Sequence, residues 1–383
     1  MKIYRQQSLI RPDLQAHIYS QALLNNVHNL KILCPADTKF CGVVKANAYG
    51  HGISEVVNIL KKTDVDFFAV ASIYEAIHIS QMVDKQSILI LEPVSANAPP
   101  DHILLCAKNR WHCVISSTEA LDFVAKLLSG QKHKLNLHVN VETGMGRCGI
   151  EPAQAAILIA QIDRCPNTNL AGVYTHFATA DEQDLSYAYR QLDAFNDFLR
   201  KNRLVGRKDT IIHAANSAAT IKIPESHFDM VRCGISMYGY YSRPMNNPAV
   251  KLTPVMKLQA PIVGVKTLPA GHSVSYGRSF TTTRNTTAAI IPLGYADGYW
   301  RCFANKAKML LGNNVVNVIG RVSMDQLLID VTDIEEPTIG QMVTIIDNNH
   351  ESPCGVYALA DLAETICYEI LTCVHAHVNR IVH

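Results

Sequence analysis

Five polar residues fall where short apolar runs end. Lys45 closes the run Cys41-Gly42-Val43-Val44-Lys45, and Ala46-Asn47-Ala48-Tyr49-Gly50-His51-Gly52 follows it. Arg147 lies in Glu142-Thr143-Gly144-Met145-Gly146-Arg147-Cys148-Gly149, and His176 in Tyr174-Thr175-His176-Phe177-Ala178. Ser217 sits in Asn216-Ser217-Ala218-Ala219, and Arg232 in Met230-Val231-Arg232-Cys233-Gly234-Ile235-Ser236-Met237-Tyr238-Gly239. An ammonium group resists burial. A lysine that ends an apolar run is therefore informative: desolvation lowers its pKa and frees the amine to form a Schiff base. Together the five supply a nucleophilic amine, two fixed cations, an imidazole, and a hydroxyl beside backbone donors. Singly, each has a plainer reading. Lys45 could be a snorkelling strand-end lysine, His176 a satisfied core histidine, Arg147 the partner of Glu142, and Ser217 a helix N-cap. The combination points to chemistry.

The elements that must position these residues alternate regularly. Strand-like runs at 40–45, 67–70, 88–91, 112–115, 135–141, 170–176, 210–213 and 229–232 are separated by helix-like stretches at 53–62, 73–83, 118–128, 152–164 and 185–202. A further helix, ending near 108, is expected to begin after Pro99 and Pro100. Parallel strands need crossover connections, so this alternation predicts a (β/α)8 barrel. In that fold chemistry gathers at the C-terminal ends of the strands, where the five polar residues fall. Residues 241–254 carry three prolines and read as a linker. Beyond it, runs at 255–267, 288–292, 308–311, 315–319, 327–331 and 342–346 lack regular helices between them, with one helix at 356–365. The fold class is therefore α/β, with a TIM-like barrel domain over 1–240 and a mostly-β domain over 241–383. The first dozen residues read as an edge strand of either domain.

Composition excludes several roles. The chain has 383 residues, 48% of them apolar, with a net charge of +2 and no basic run. That gives no reason to expect nucleic acid or an anionic membrane as partner. The start lacks the apolar stretch of a signal peptide, and no apolar run is long enough to span a bilayer, so the expected location is the cytoplasm. Eleven cysteines are scattered without a Cys-x-x-Cys pair, which argues against disulfides and structural zinc. No metal is expected, and Cys148 and Cys233 read as small apolar filler rather than redox groups.

The second domain carries Val274-Ser275-Tyr276-Gly277, Gly294-Tyr295-Ala296-Asp297-Gly298, Gly320-Arg321-Val322-Ser323-Met324-Asp325-Gln326 and Thr365-Ile366-Cys367-Tyr368-Glu369. With the Lys45, Arg147, His176, Ser217 and Arg232 motifs, in this order, the chain resembles the alanine racemase family of fold-type III pyridoxal-phosphate enzymes. The resemblance spans roughly residues 10 to 375. It implies a head-to-tail homodimer with shared active sites, acting on a small amino acid to supply D-alanine for peptidoglycan.

It also implies roles. Lys45 would form the Schiff base with pyridoxal phosphate and act as one base; Tyr276 of the partner subunit would be the other. His176, held by Arg232, would attend that tyrosine. Arg232 would donate to the pyridine nitrogen, and an always-charged guanidinium keeps that nitrogen unprotonated, which favours racemisation over transamination. Tyr49, Ser217, Tyr368 and the N–H groups of Gly234 and Ile235 would hold the phosphate. Arg147 would meet the ring hydroxyl and the substrate carboxylate, with the Met324 N–H as second carboxylate donor. Tyr295, Arg301, Arg321, Ile366 and Asp181 would line the entrance. Many relatives place a carbamylated lysine where this chain has Asn140, so an anion, chloride, is expected between Asn140 and Arg147. The alternatives are a broad-specificity racemase of serine or lysine, a pyridoxal-phosphate decarboxylase, and a non-catalytic cofactor carrier. The Tyr276 segment argues against the last two.

Overall fold

The computed structural model describes residues 10–83, 85–244 and 249–383. Eight parallel strands close into a barrel: β2 Lys39–Val43, β3 Phe67–Val70, β4 Ser87–Pro93, β5 His112–Ile115, β6 Leu135–Asn140, β7 Thr168–Tyr174, β8 Ile211–His213 and β9 Met230–Cys233, with β9 pairing back onto β2. They read as near-continuous apolar runs because both faces are covered, one by the barrel interior and one by helices. The intervening helices include Ile53–Leu60, Ile73–Ser80, Thr118–Leu128, Pro152–Arg164 and Ser186–Lys201. Side chains start several of them. Ser72 and Glu75 form a capping box, and Ser117 accepts the N–H of Ala120 at 3.1 Å. The helix Pro100–Lys108 starts on the second proline, not after it, because Pro100 occupies the first helical turn, where an N–H is not needed.

The β domain is a nine-stranded sheet with a two-stranded ribbon, Ser273–Val274 against Phe280–Thr281, that carries Tyr276 between its strands. The order of the large sheet is Gly264–Leu268, Thr286–Ile291, Leu327–Asp330, Asn314–Ile319, Lys308–Leu311, Met342–Ile346, Met256–Pro261, β1 Arg11–Ile18 and Val378–Val382. The ambiguous N-terminal segment thus joins this sheet, antiparallel to Met256–Pro261 and parallel to Val378–Val382. Residues 1–9 and 245–248 lie outside the described residues, and with them part of the proline-rich stretch read as a linker. The run expected at 255–267 is two strands, separated at 262–263. The helix expected at 356–365 ends at Leu362, and a second one, Cys367–Thr372, follows and packs against residues 45–49. One continuous apolar core runs through both domains. No helix among the described residues is long and apolar enough to cross a membrane.

Candidate active site

The C-terminal mouth of the barrel holds a cavity of about 760 Å³, lined among others by Lys45, Tyr49, Asn140, Arg147, His176, Ser217, Arg232, Gly234, Ile235 and Tyr368. All of these were singled out in the sequence, and here they meet.

Lys45 does not end its strand. β2 stops at Val43, and Lys45 opens a turn in which Ala46, Asn47, Ala48 and Tyr49 all have φ near +53°. Four consecutive non-glycine residues in the left-handed region cost on the order of 1 kcal/mol each. Surrounding contacts hold them there. Glu75 accepts the Ala46 N–H at 2.8 Å, buried His51 reaches the carbonyls of Ala48 and Tyr49 at 3.1 and 2.9 Å, and Asn47 accepts the Ile53 N–H at 2.9 Å. Gly50 ends the turn at φ +79°, where a Cβ would stand 1.9 Å from the Leu371 carbonyl oxygen. Arg380, from the last strand of the β domain, donates to the Gly50 carbonyl at 2.8 Å. Burial pushes the Lys45 ammonium pKa down, and neighbouring Arg147 pushes the same way.

Arg232 is the best-anchored residue of the site. Its guanidinium donates to His213 Nδ1 at 2.8 Å, to the carbonyls of Thr175 and Ala214 at 3.0 Å, and to His176 Nδ1 at 3.2 Å. It also lies over the Tyr174 ring. His176 stands two residues past the end of β7, not within the strand expected there. Burial, then the charges of Arg232, Arg147 and Lys45, drive its pKa down to about 3. It is therefore a neutral imidazole whose Nδ1 accepts and whose Nε2–H is free to donate.

Ser217 is not the cap of its helix. Asn216 caps Ser217–Lys222 by accepting the Ala219 N–H at 3.0 Å. The Ser217 hydroxyl instead accepts the N–H of Gly234 at 2.8 Å and of Ser236 at 3.4 Å. Glu142 does not pair with the Arg147 side chain either. Its carboxylate is taken up by the N–H groups of Gly144, Met145 and Gly146 at 2.5, 2.6 and 2.9 Å, which folds the loop. Arg147 has no carboxylate partner among the described residues. Gln191, unnoticed in the sequence, ties the neighbouring loops together. It donates to Thr143 Oγ1 at 3.3 Å and to the His176 carbonyl at 3.1 Å.

The residues of the β domain divide between two places. Tyr368 joins the cavity of its own chain, beside Tyr49 and bonded to Ser242 at 2.9 Å. Asp181, a barrel residue, lines a small adjoining pocket with Ser217. Tyr276 is not in the cavity. It projects from the β-domain surface, 71% exposed, after Ser275, which is held at φ +62° and bonded to the Arg321 carbonyl at 2.7 Å. Met324 and Tyr295 are exposed too, and their loops are joined by the bond from the Ala296 N–H to the Met324 carbonyl at 2.9 Å. Arg301 and Ile366 are exposed as well.

The cavity fits a phosphorylated pyridine aldehyde. A Cβ at Gly234 would stand 2.4 Å from the Tyr49 hydroxyl, so the bare glycine leaves the cradle open. Ser217, Tyr49, Tyr368 and Ile235 line the cavity with Gly234, Lys45 offers an amine to an aldehyde, and Arg147 and Arg232 supply positive charge for a phosphate and a carboxylate.

Comparison with known proteins agrees with this geometry. The family models for the N-terminal and C-terminal domains of alanine racemase match residues 18–242 and 255–382. Among similar proteins are alanine racemase 1 of Clostridium acetobutylicum, 33% identical over 95% of each chain, and the alanine racemase of Carboxydothermus hydrogenoformans, 37% identical over 88% of this chain and 91% of that one. Among solved structures, alanine racemase from Clostridium difficile superposes with a TM-score of 0.89 at 33% identity, covering 98% of this chain and 96% of the other. The Bacillus anthracis alanine racemase with bound L-Ala-P superposes at 0.88 and 32% identity, covering 97% and 95%. Fold and sequence agree over nearly the whole length, and the chain belongs to the alanine racemase family.

Proposed function

We propose that the protein interconverts L- and D-alanine with pyridoxal phosphate, working as a cytoplasmic homodimer that supplies D-alanine for peptidoglycan. The observation that carries this reading is the Lys45 amine, its pKa pushed down, sharing one cavity with Arg147, His176 and Arg232. The eleven free thiols suit a reducing compartment.

When bound, pyridoxal phosphate supplies an electron-withdrawing ring that acidifies the substrate's Cα proton. Lys45 would hold the cofactor covalently, and Ser217, Tyr49, Tyr368 and the N–H groups of Gly234 and Ile235 would hold its phosphate, the Gly234 N–H by leaving the Ser217 hydroxyl to which it donates here. Arg232, whose side-chain partners are neutral imidazoles and carbonyls, would present an undiminished charge to the ring nitrogen. Arg147 takes the ring hydroxyl and, with the Met324 N–H of the partner subunit, the substrate carboxylate. The Lys45 amine would take or return the Cα proton on one face. Tyr276 of the partner subunit would do so on the other. The separation of Tyr276 from the Lys45 cavity within one chain supports a shared site. Tyr295, Arg301, Arg321 and Ile366 from the partner, with Asp181, line the way in.

A chirally resolved assay with L-alanine, L-serine and L-lysine side by side tests this. D-alanine should dominate, and Lys45→Ala should abolish turnover; comparable turnover of all three would move the reading to a broad-specificity enzyme.

Asn140 is buried and lines the same cavity as Arg147, and its neutral amide cannot balance that charge. We place a chloride between the two. Crystals soaked in bromide should give an anomalous peak there, and a site holding only water would rule the anion out.

A further inference from the structure

The barrel interior between the active-site mouth and the opposite end carries a file of histidines that the racemase chemistry does not use. Arg232 Nη1 donates to His213 Nδ1 at 2.8 Å. His213 Nε2 meets His138 Nδ1 at 2.9 Å, and His138 Nε2 meets His112 Nδ1 at 2.8 Å. His213 and His138 are fully buried. His112 opens β5 at the N-terminal end of the barrel, where it lines a separate cavity of about 600 Å³ with Arg110, Lys134 and Asn136. Barrel interiors are ordinarily filled by branched apolar side chains. Here three imidazoles replace them, and β7, the strand between β6 and β8, makes room. A Cβ at Gly172 of β7 would stand 2.2 Å from His138 Nδ1.

Donor and acceptor roles along the file are forced. A guanidinium only donates. His213 Nδ1 must then accept, so its proton is on Nε2. That proton points at His138 Nδ1, which must accept, and the same step repeats at His112. A second proton on any of the three rings would set two N–H groups against each other. Arg232 cannot take a proton up, so the file conducts none to the active site. It fixes one direction of hydrogen bonding from Arg232 to the far mouth. A neutral acceptor also leaves the arginine's positive charge whole, where a carboxylate would have offset it.

We propose that His213, His138 and His112 are positioning residues of the racemisation reaction: a one-way file of Nε2–H imidazoles that holds the Arg232 guanidinium in place without neutralising it. The role in the reaction rests on the function proposed above; the proton arrangement does not. Long-range 1H–15N correlation of the imidazole rings in the cofactor-free protein at pH 7 reads the arrangement directly. All three rings should be Nε2–H tautomers, and one Nδ1–H ring or one imidazolium among them overturns the proposal. Turnover then reads the role. His138→Gln keeps one acceptor and one donor, and His138→Leu keeps neither. The leucine variant should lower kcat roughly tenfold, about one neutral hydrogen bond, with KM held. It should also raise the fraction of transaminated cofactor, while the glutamine variant restores both. His112→Leu and His112→Gln repeat the comparison at a half-buried position, should the His138 pair fold poorly. Equal losses in the leucine and glutamine variants would mean a merely structural role and would overturn the proposal. Three Nε2–H tautomers in a protein that racemises nothing would sustain the proton arrangement and remove the proposed function instead.

Discussion

Burial decides how His176 could act on Tyr276 of the partner subunit, the second base proposed above. Its pKa, near 3, leaves it uncharged at any physiological pH, so it can only donate an N–H to a phenolate. The fixed positive charge that would make such a tyrosine a usable base must come from Arg232 and Arg147. The same burial creates an acid liability. His112 and His51 are each lowered to about 4, and His138 and His213 are lowered as well, all by desolvation first. Their unfolded value lies near 6.5. Folded values below the unfolded one mean that the unfolded chain binds protons first, so this part of the stability is complete above pH 6.5 and is lost as pH falls from there toward 4. Every tenfold weakening of proton binding by a buried imidazole corresponds to about 1.4 kcal/mol. The melting temperature should therefore fall steeply between pH 6.5 and 5, before most carboxylates titrate. Thermal melts across that range check this, and a flat profile would contradict it.

At the scale of an element, the left-handed turn of residues 46–49 is a costly local conformation, four non-glycine residues in succession at positive φ. Its function is to turn the chain away from β2 so that Lys45 faces the cavity while Tyr49 reaches the Gly234 cradle. Glu75 serves two elements at once. One oxygen caps Ile73–Ser80 through the N–H groups of Ala71 and Ser72, and the other holds the Ala46 N–H. Glu75→Ala should destabilise the fold by about 2 kcal/mol, a lost cap plus an unmade backbone bond, and lower turnover beyond what the lost stability explains. Denaturant unfolding beside kcat measurements tests both parts. An unchanged midpoint would mean that the turn holds itself.

At the scale of the molecule, the β domain sends some of its motif residues to the cavity of its own chain and leaves others on its surface. Tyr368 and the clamp from Arg380 reach back to the Lys45 turn of the same chain. Tyr276, Met324 and Tyr295 stand exposed instead, large apolar side chains that a surface meeting only water has little reason to carry. A shared site predicts complementation. Lys45→Ala and Tyr276→Phe subunits, each inactive as homodimers, should regain activity when mixed and allowed to exchange, because each mixed dimer contains one wild-type site. Sedimentation confirms the dimer, and no recovery after demonstrated exchange would place both bases in one chain.

Much of this protein was legible in its sequence. The period of apolar runs marked eight barrel strands within a few residues, because strands buried on both faces must be apolar throughout. Polar residues at their ends marked Lys45, Arg147, His176, Ser217 and Arg232, because an ionisable group beside a core carries a cost that needs a reason. Local patterns could not decide where β1 goes, since an amphipathic strand fits any open sheet edge. The turn after Val43 carries no glycine until Gly50, so its left-handed backbone had no local signal; contacts from Glu75, His51 and Asn47 impose it. Histidines as far apart in the chain as His112 and His213 become one file only when β5, β6 and β8 curve around a common interior. Residue type and period determined which elements form and which residues were expensive to bury. Only the closed barrel decided which of them touch, and therefore which carry charge, because hydrogen-bond partners and desolvation are properties of the assembled interior and not of the chain.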